Sequence, residues 1–354
     1  MHMMKADRHC RFPIGDVLVR RVAGFLARRQ ALSLVVLLLM APNARAGQVG
    51  YTTITAADPP GEPLQVGIWY PAKAPTSDQD IGRFTQTVAP NAAVVGRSHG
   101  LIIISHGTGG SLEEHYDTAL ALAHAGFVVA AIAHTGDTYR DQSHATRLAD
   151  RPRAVHAVID DMLTGWSGQA SIDASRIGVF GFSSGGFTAL VVAGGVPDLT
   201  LIPPYCGTHG SSFVCQLLKQ RPVTDTAPIP PEAWIADSRI KAAVVAAPAI
   251  GFTFTRPGLS KVHVPIQLWK AADDNILPAP DYADAVRAAL PRKPEFHVVS
   301  GADHFDFLAP CSEPLARVAP DICQEHGGFD RTAFHRRFNR EVVRFFEQAL
   351  PAVR

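Results

Sequence analysis

The sequence predicts an α/β protein in which helices cover both faces of one mostly parallel sheet. Three observations predict it: unbroken apolar runs of strand length such as residues 101–104, amphipathic helical segments between such runs, and a Gly-x-Ser-x-Gly motif at residues 181–185. Strands covered on both faces need no polar alternation, and alternating strands and helices are typical of parallel sheets. The 354 residues, 47% of them hydrophobic and 18% charged, are enough for one large domain.

The N-terminus has the pattern of a secretory signal peptide. Arg28 and Arg29 precede an apolar run at residues 31–40, and Ala-Arg-Ala at residues 44–46 offers a small-residue cleavage site. The run is about 10 residues long, whereas a helix that spans a bilayer needs about 20. We therefore expect residues 1–46 to be removed and residues 47–354 to be exported to the periplasm or secreted. An uncleaved membrane anchor is the alternative.

Loss of residues 1–46 would leave four of the five cysteines, at positions 206, 215, 311 and 323. An even number of cysteines in an exported protein predicts disulfides. Three pairings are possible, of which we favour the local pairs Cys206–Cys215 and Cys311–Cys323; reduced, buried cysteines are the alternative. Neither pair has metal-ligand spacing with nearby histidines, so no zinc site is expected.

The first part of the mature chain predicts an antiparallel opening to the sheet. Residues 51–56 and 64–70 have the composition of strands, and the Pro- and Gly-rich residues 58–63 between them force a turn. These two strands should form a hairpin. Residues 71–98 are polar and show no clear period, so we expect a surface loop there.

Strands at residues 101–104 and 127–133 enclose the first predicted helix. Ser111 and Glu114, three residues apart, fit a capping box at its start, and Gly126 fits its end. Ligands of open α/β sheets bind beyond the carboxyl ends of the strands, so the polar loop after the second strand is either functional or simply solvated. Its polar residues include Asp137, Tyr139, Arg140, Asp141 and His144.

The rest of the chain continues the alternation around one irregular insertion. A helix opens at Arg151-Pro152, and the motif at residues 181–185 joins a strand to another helix. Seven prolines, two cysteines and weak periodicity in residues 194–236 predict an insertion that lies over the motif as a lid. The apolar side chains expected to line a pocket beneath it are Leu199, Leu201, Ile202, Tyr205, Phe213 and Leu217. The remaining strands are predicted at residues 240–246, 264–269 and 296–299, and the remaining helices at 281–290 and from Asp330 onward, which makes eight strands in all.

Ser183 is the candidate nucleophile. It stands at the centre of the Gly-x-Ser-x-Gly motif, between a predicted strand and a predicted helix. A serine at such a sharp turn is lifted clear of the sheet, and the flanking glycines let strand and helix approach closely. A plain Gly- and Ser-rich turn is the alternative, because the pentapeptide alone occurs often by chance.

An acid and a histidine follow the serine in the order that this strand–turn–helix arrangement requires. A serine hydroxyl needs a neighbouring imidazole as base, and the imidazole needs a carboxylate that fixes its tautomer. His304 follows the last predicted strand, and we assign it as general base and then general acid. Asp274 follows the preceding strand and is the assigned carboxylate, with the adjacent Asp273 as its nearest rival.

A glycine-rich turn after the strand at residues 101–104 supplies candidate oxyanion donors. Its sequence is Ser105-His106-Gly107-Thr108-Gly109-Gly110, which can turn backbone N–H groups toward a bound oxygen. We expect the N–H groups of Thr108 and Ser184 to form the oxyanion hole. The turn lacks the Gly-x-x-x-x-Gly-Lys-Ser/Thr pattern of a phosphate-binding loop.

With these motifs the chain resembles the α/β-hydrolases over residues 50–350. The segments 105–108, 181–186 and 301–311 resemble exported bacterial proteins described as dienelactone-hydrolase-like or platelet-activating-factor-acetylhydrolase-like. Dienelactone hydrolases use a cysteine where this chain has Ser183. The acetylhydrolases place the acid one strand earlier, where this chain has Ala-Ala-Pro-Ala at residues 246–249. The resemblance therefore implies the α/β-hydrolase fold with a lid insertion, and leaves the substrate open.

The predicted function is hydrolysis of carboxylic esters with short to medium acyl chains. No cofactor or metal is required, and the partner is a small-molecule ester. The net charge of +1 and the lack of a basic run argue against nucleic acid, and a monomer without stable membrane insertion is expected. Three alternatives stay open: a lipase or polyester hydrolase with an open groove, an amidase or peptidase, and a non-catalytic binding protein on a hydrolase scaffold.

Overall fold

The computed structural model describes residues 47–59, 61–221, 229–324 and 327–352. The predicted signal peptide, residues 1–46, lies outside the described residues. In the described part of the chain, no helix is both long and apolar enough to cross a membrane.

A mixed sheet of ten strands forms the centre of the fold, with the strand order β10-β9-β8-β7-β5-β6-β2-β1-β4-β3. The strands β5 to β10 run parallel to one another, whereas β2 joins β6 and β1 in antiparallel pairs. The chain leaves β5 toward β6 on one side and returns to β7 on the other, so the strand order reverses at β5, where ligands of such sheets bind. The strands are β1 (Gln48–Ala56), β2 (Leu64–Ala72), β3 (Ser77–Ile81), β4 (Phe84–Pro90), β5 (His99–Ser105), β6 (Val128–Ala133), β7 (Ile172–Phe182), β8 (Ile240–Ala246), β9 (Ile266–Ala271) and β10 (Glu295–Val299).

The predicted count of eight strands is wrong because residues 71–98 contain a hairpin rather than only a loop. Along β4 the residues alternate between buried and exposed, as in a strand with one covered face. The polar Gln86 occupies an inward position and interrupts the apolar period in the sequence. Its side-chain oxygen accepts a hydrogen bond of 2.9 Å from the indole of Trp69, whereas its side-chain NH2 group has no partner among the described residues. The partner strand β3 is polar and lies at the sheet edge.

Helices pack on both faces of the sheet, as predicted. Alternate residues of β5 belong to two separate apolar cores: Leu101 and Ile103 to one, Ile102 and Ile104 to the other. The helices are α1 (Tyr116–His124), α2 (Asp150–Thr164), α3 (Ser184–Val192), α4 (Ile202–Thr208), α5 (Phe213–Gln220), α6 (Arg256–Leu259), α7 (Ala283–Ala289), α8 (Glu313–Val318), α9 (Pro320–Cys323) and α10 (Arg331–Ala349).

The predicted start of the last helix is confirmed, whereas that of the first helix is wrong. The last helix begins where predicted, since the Asp330 side chain caps α10 by accepting a hydrogen bond from the N–H of Ala333. The capping box predicted at Ser111 and Glu114 is wrong, because α1 begins only at Tyr116. The Glu114 carboxylate still accepts a hydrogen bond from the N–H of Ser111, but it does so before α1 begins and also accepts from the N–H of Gly107.

The predicted insertion at residues 194–236 contains short helices instead of sheet strands. These are α4, α5 and the 3-10 turns Leu199–Leu201 and Pro231–Ala233. The predicted disulfides are both confirmed: Cys206–Cys215 links α4 to α5, and Cys311–Cys323 closes the segment that contains α8 and α9.

Candidate active site

Ser183 lies at the carboxyl end of β7, in the sharp turn that leads into α3. Its φ of 54° and ψ of −116° lie outside the regions that non-glycine residues prefer. Its N–H donates to the carbonyl of Ala246 at 2.9 Å, and its carbonyl accepts from the N–H groups of Phe187 and Ala249. These hydrogen bonds hold the strained turn between two strands and a helix, with the serine side chain at the edge of the sheet.

The two glycines of the motif are required by close packing of the backbone. A Cβ at Gly181 would overlap the carbonyl group of Gly185, and a Cβ at Gly185 would overlap the carbonyl oxygen of Ser105. The helix α3 can therefore start directly above β7 and next to β5 only because both positions lack a side chain. This packing brings the turn at residues 105–110 alongside Ser183.

His304 and Asp274 lie next to Ser183, each contributed by the loop after a different strand. The Nε2 atom of His304 is 3.2 Å from the Ser183 hydroxyl, and its Nδ1 atom is 2.8 Å from a carboxylate oxygen of Asp274. The other Asp274 oxygen accepts hydrogen bonds from the N–H groups of Ile276 and Leu277, at 3.0 and 2.6 Å. Asp273, the nearest rival for this position, is exposed.

A second set of acidic residues fixes the loop that carries His304. Asp303 caps the 3-10 turn His304–Phe307 and also accepts hydrogen bonds from the backbone and side chain of Asn275, in the loop of Asp274. Asp306 forms a buried ion pair with Arg331 at 3.0 Å, at the start of α10. The ring of Phe182, whose centroid is 4.8 Å from that of His304, supports the imidazole from below.

The predicted oxyanion donors face each other across the site. Thr108 and Ser184 lie close enough for their hydroxyl oxygens to share a hydrogen bond of 2.5 Å. The N–H of Ser184 is in the first turn of α3, where helical N–H groups have no partner within the helix. Within the described residues, no hydrogen bond occupies the N–H of Thr108.

Sequence reasoning missed the side chains that hold the turn at residues 105–110. Arg151 is buried, and its guanidinium donates to the carbonyls of His106 and Gly107 at 2.8 and 3.1 Å. It also forms an ion pair with Asp137 at 2.6 Å. The second Asp137 oxygen accepts a hydrogen bond of 2.8 Å from the N–H of Gly109. In the sequence, Asp137 was one of several polar loop residues and Arg151 only the start of a helix.

Glu114 completes this brace of the turn from the other side. Its carboxylate accepts hydrogen bonds from the N–H groups of Gly107 and Ser111, at 2.8 and 3.3 Å. Burial raises the pKa of Glu114, but His115, His106 and the Gly107 N–H together outweigh burial and lower it. The carboxylate is therefore charged where it meets the turn.

Two buried histidines behind the turn are neutral. The Nδ1 atom of His106 donates to the Gly107 carbonyl at 2.6 Å, and its Nε2 atom accepts from the N–H of His134 at 3.0 Å. Burial lowers the pKa of His106 and lowers that of His134 still more, and the charge of Arg151 adds to both effects. His106 thus links the turn to the end of β6. His134 lies against Ser105 at 2.8 Å, and His297 stacks on Trp269.

A small apolar cavity lies beside the two oxyanion residues, and we call it the acyl cavity. Its volume is about 50 Å³, and Thr108, Ser184, Phe187 and residues of the insertion line it. Of the six insertion residues predicted as lining, Ile202, Phe213 and Leu217 are in this wall, together with Val214 and Leu218. Leu199 packs on the core instead, and Tyr205 stacks on Phe252.

The described residues contain no group of three His, Cys, Asp or Glu side chains that could hold a metal ion. The polar groups that converge on Ser183 are instead arranged for proton transfer and for binding of a negatively charged oxygen.

Comparison with known proteins agrees with this fold. The dienelactone hydrolase family matches residues 85–229. A ferulic acid esterase from Streptomyces cinnamoneus has a similar structure, with a TM-score of 0.59 at 18% sequence identity over 88% of this chain and 92% of that chain. No curated protein sequence matches. Residues 85–229 are thus similar to the dienelactone hydrolase family, and the chain as a whole has the fold of an α/β-hydrolase.

Proposed function

We propose that this protein is a serine hydrolase that cleaves carboxylic esters with short to medium acyl chains. The observation that carries the proposal is the continuous contact from Ser183 through His304 to Asp274, at 3.2 and 2.8 Å, in a buried site. This order of contacts is what an activated serine requires. The family match supports a hydrolase, and the two disulfides are compatible with export.

The proposed reaction has two halves. His304 takes the proton of Ser183 while the serine oxygen attacks the ester carbonyl, and Asp274 stabilises the imidazolium. The N–H groups of Thr108 and Ser184 bind the oxyanion, and each donor of this kind lowers the activation barrier by about 3–4 kcal/mol. His304 then protonates the departing alcohol. In the second half, His304 activates a water molecule that releases the acid from Ser183.

The acyl cavity supports a limit on the acid part of the ester. With a volume of about 50 Å³ and walls formed by Phe187, Ile202, Phe213 and Leu217, it offers room for a short apolar chain without a bulky ring. Turnover of soluble nitrophenyl esters should therefore fall as the acyl chain lengthens. An open-groove lipase or polyester hydrolase would instead prefer long or insoluble substrates.

The first test is covalent labelling with a fluorophosphonate, followed by peptide mapping. We expect one adduct, on Ser183, and loss of both labelling and hydrolysis in Ser183→Ala. The loss in kcat should be at least about a thousandfold, because a triad without its nucleophile retains only the effect of binding and oxyanion donors. Ser260→Ala, at an exposed serine whose hydroxyl bonds only to the carbonyl of Pro257, is the matched control. Retained hydrolysis in Ser183→Ala would refute the proposed mechanism.

A further inference from the structure

A second, larger cavity lies next to the oxyanion turn, and we call it the outer cavity. Its volume is about 320 Å³, within the usual range of ligand pockets, and its surface is mostly apolar. It lies between the tip of the β3–β4 hairpin, residues 109–114 at the end of the turn, and the segment closed by Cys311–Cys323. The apolar side chains in its wall are Phe84, Tyr139, Leu308, Leu315, Val318 and Ile322.

The two cavities border different residues of the candidate site. The acyl cavity includes Ser184 and Thr108, whereas the outer cavity includes Gly109 and Gly110, the next residues of the same turn. Leu308 and Ala309, which also line the outer cavity, directly follow the 3-10 turn that begins at His304. The outer cavity is therefore bordered by the residues that follow the turn of His304, and the acyl cavity by the helix that follows Ser183.

The positions of the two cavities assign each of them to one part of an ester. The imidazole that takes the serine proton must deliver it to the oxygen of the departing alcohol, so the alcohol has to lie on the side of His304. The acyl carbon stays bound to Ser183, and its oxyanion faces the Ser184 N–H. The alcohol part thus points toward the outer cavity, and the acid part toward the acyl cavity.

Exposed apolar side chains mark the same two places. Four large hydrophobic side chains are exposed among the described residues; Tyr139 and Val318 line the outer cavity and Phe213 the acyl cavity. Only Val298 lies elsewhere. Apolar groups grouped at a cavity mouth indicate a binding surface. The ring of Tyr139 is also held in place, since Arg140 lies over it at 5.3 Å and donates to its hydroxyl oxygen.

The carboxyl groups in the wall of the outer cavity leave little for a cationic ligand to bind, and the guanidinium of Arg83, also in this wall, lies over the Tyr139 ring at 5.9 Å. Both oxygens of Glu114 already accept backbone N–H groups. Burial raises the pKa of Glu113, the other carboxyl in this wall. The cavity therefore suits an uncharged, apolar occupant.

We propose that the outer cavity binds the alcohol part of the substrate, and that this alcohol is bulky and apolar, of the size of an aromatic ring system. The inference rests on the proposed ester hydrolysis. In the step concerned, the bond between the acyl carbon and the alcohol oxygen breaks, the oxygen takes the proton held by His304, and the neutral alcohol leaves through the outer cavity. The acyl group stays on Ser183 until water releases it.

The test compares two esters that are isomers of each other. In 2-naphthylmethyl acetate the ring system is in the alcohol, and in methyl 2-naphthylacetate the same ring system is in the acid. Both release a primary alcohol, so their intrinsic reactivities are similar. We expect kcat/KM to be at least about tenfold higher for the acetate, because one or two misplaced methylene groups in an apolar pocket already have an effect of this size.

Variants connect the preference with the cavity. Leu315→Trp narrows the outer cavity, so it should reduce the ratio of the two kcat/KM values by about tenfold, while Leu315→Ala should not reduce it. Val298→Trp places the same bulky ring on an exposed strand residue outside both cavities and serves as control. Circular dichroism of each variant establishes that it is folded.

Each result decides the matter. A preference for the acetate that Leu315→Trp reduces and Val298→Trp leaves intact supports the proposal. Equal rates, a preference for methyl 2-naphthylacetate, or equal ratios in all variants would overturn the assignment of the cavities while the enzyme still hydrolyses esters. Absence of all ester hydrolysis and of a fluorophosphonate adduct would instead refute the proposed function, and the inference with it.

Discussion

The turn at residues 105–110 and the insertion at residues 194–236 border the same acyl cavity but are held in different ways. Buried charged groups fix the turn: Arg151 binds its carbonyls, and Asp137 and Glu114 bind its N–H groups. These hydrogen bonds are directional, and each involves an ionised partner, which makes them about twice as strong as neutral ones.

The insertion is held mainly by covalent and aromatic contacts. The helix α4 has no buried residue, and in α5 only Cys215 is buried, by its disulfide with Cys206. Tyr205 anchors α4 to the body of the domain by stacking on Phe252, with a distance of 3.9 Å between ring centroids. Its hydroxyl lies 3.1 Å from that of Tyr282.

The difference indicates that the turn must be exact in position, whereas the insertion need not be. An oxyanion donor has to be placed to within a few tenths of an ångström, which only an over-determined hydrogen-bond network achieves. An apolar wall acts through its area and shape, so it tolerates exchange of side chains of similar volume. We therefore expect changes to the turn to reduce the rate of every substrate, and changes to the insertion to alter the choice of substrate.

The largest effect is expected from Arg151→Met. The variant leaves the buried carboxylate of Asp137 without its partner, which destabilises a protein by about 3–5 kcal/mol. It also releases the carbonyls on both sides of the Gly107 N–H, so the Thr108 donor loses its orientation. Denaturant unfolding should show the loss of stability, and steady-state kinetics should show a lower kcat with little change in KM, because the donor acts in the transition state.

Two further variants test whether Arg151 acts by positioning the turn. Arg151→Lys keeps the charge but lacks the forked guanidinium, so its kcat should lie between those of wild type and Arg151→Met. Arg344→Met removes partly exposed ion pairs with Glu341 and Glu295 and should cost about 1 kcal/mol or less for each, with unchanged kcat. An Arg151→Met protein with the kcat of wild type would contradict the positioning role.

How well the sequence predicts an element depends on whether the cause is local. The strand at residues 240–246 and the cap of α10 at Asp330 were predicted with correct bounds, because an apolar run and a capping side chain act within a few residues. The hairpin of β3 and β4 was missed, because Gln86 is buried by virtue of Trp69, 17 residues away. A polar residue with a distant partner cannot be distinguished from a loop residue in the sequence.

The candidate site divides in the same manner. Motif and chain order were enough to select Ser183, Asp274 and His304, and the structure brings their side chains into contact. Between the adjacent Asp273 and Asp274, the motif allowed only a preference for Asp274, and the path of the loop is what brings Asp274 to 2.8 Å from His304. The brace of the turn depends on Arg151 and Asp137, 14 residues apart in separate elements, and the alternative of a solvated loop was equally consistent with their sequence.

The second largest effect is expected from removal of the Cys206–Cys215 disulfide in Cys206→Ser/Cys215→Ser. Its sequence separation of 9 residues corresponds to about 2–3 kcal/mol of stabilisation in the chain-entropy model. Because the insertion is attached by few buried groups, we expect this loss to loosen α4 and α5 without unfolding the domain. The ratio of kcat/KM for butyrate and acetate esters should change, while a fluorophosphonate still labels Ser183.

Removal of the other disulfide is the matched comparison. Cys311–Cys323 closes the segment whose Ile322 carbonyl accepts from Arg331, the partner of Asp306 next to His304. Cys311→Ser/Cys323→Ser should therefore lower the rates for acetate and butyrate esters by the same factor. If the Cys206→Ser/Cys215→Ser protein showed this uniform loss, the insertion would not be the selective wall.

The smallest effect is a dependence of stability on pH that originates at the turn. The pKa values of His106 and His134 are lowered in the folded protein by burial and by Arg151, whereas an unfolded histidine has a pKa of about 6.5. As the pH falls below about 6.5, the unfolded chain takes up protons that the folded chain does not. The stability is thus complete above this pH and declines below it.

Urea unfolding at pH 7.5 and 5.5 isolates this contribution. The buried carboxylates near the turn, Glu114 and Asp117, have lowered pKa values, so the stability they provide is lost only below the range tested. The raised pKa of Glu113 acts in the opposite direction, and because Glu113 is present in every variant, the comparison between variants removes its effect. His134→Gln removes the histidine whose pKa is lowered more and can keep a hydrogen bond to Ser105, so it should reduce the decline. His124→Gln, at an exposed residue of α1, should leave the decline unchanged. If His134→Gln also left it unchanged, His134 would not contribute to the acid sensitivity, and the decline would come from His106 or from outside the turn.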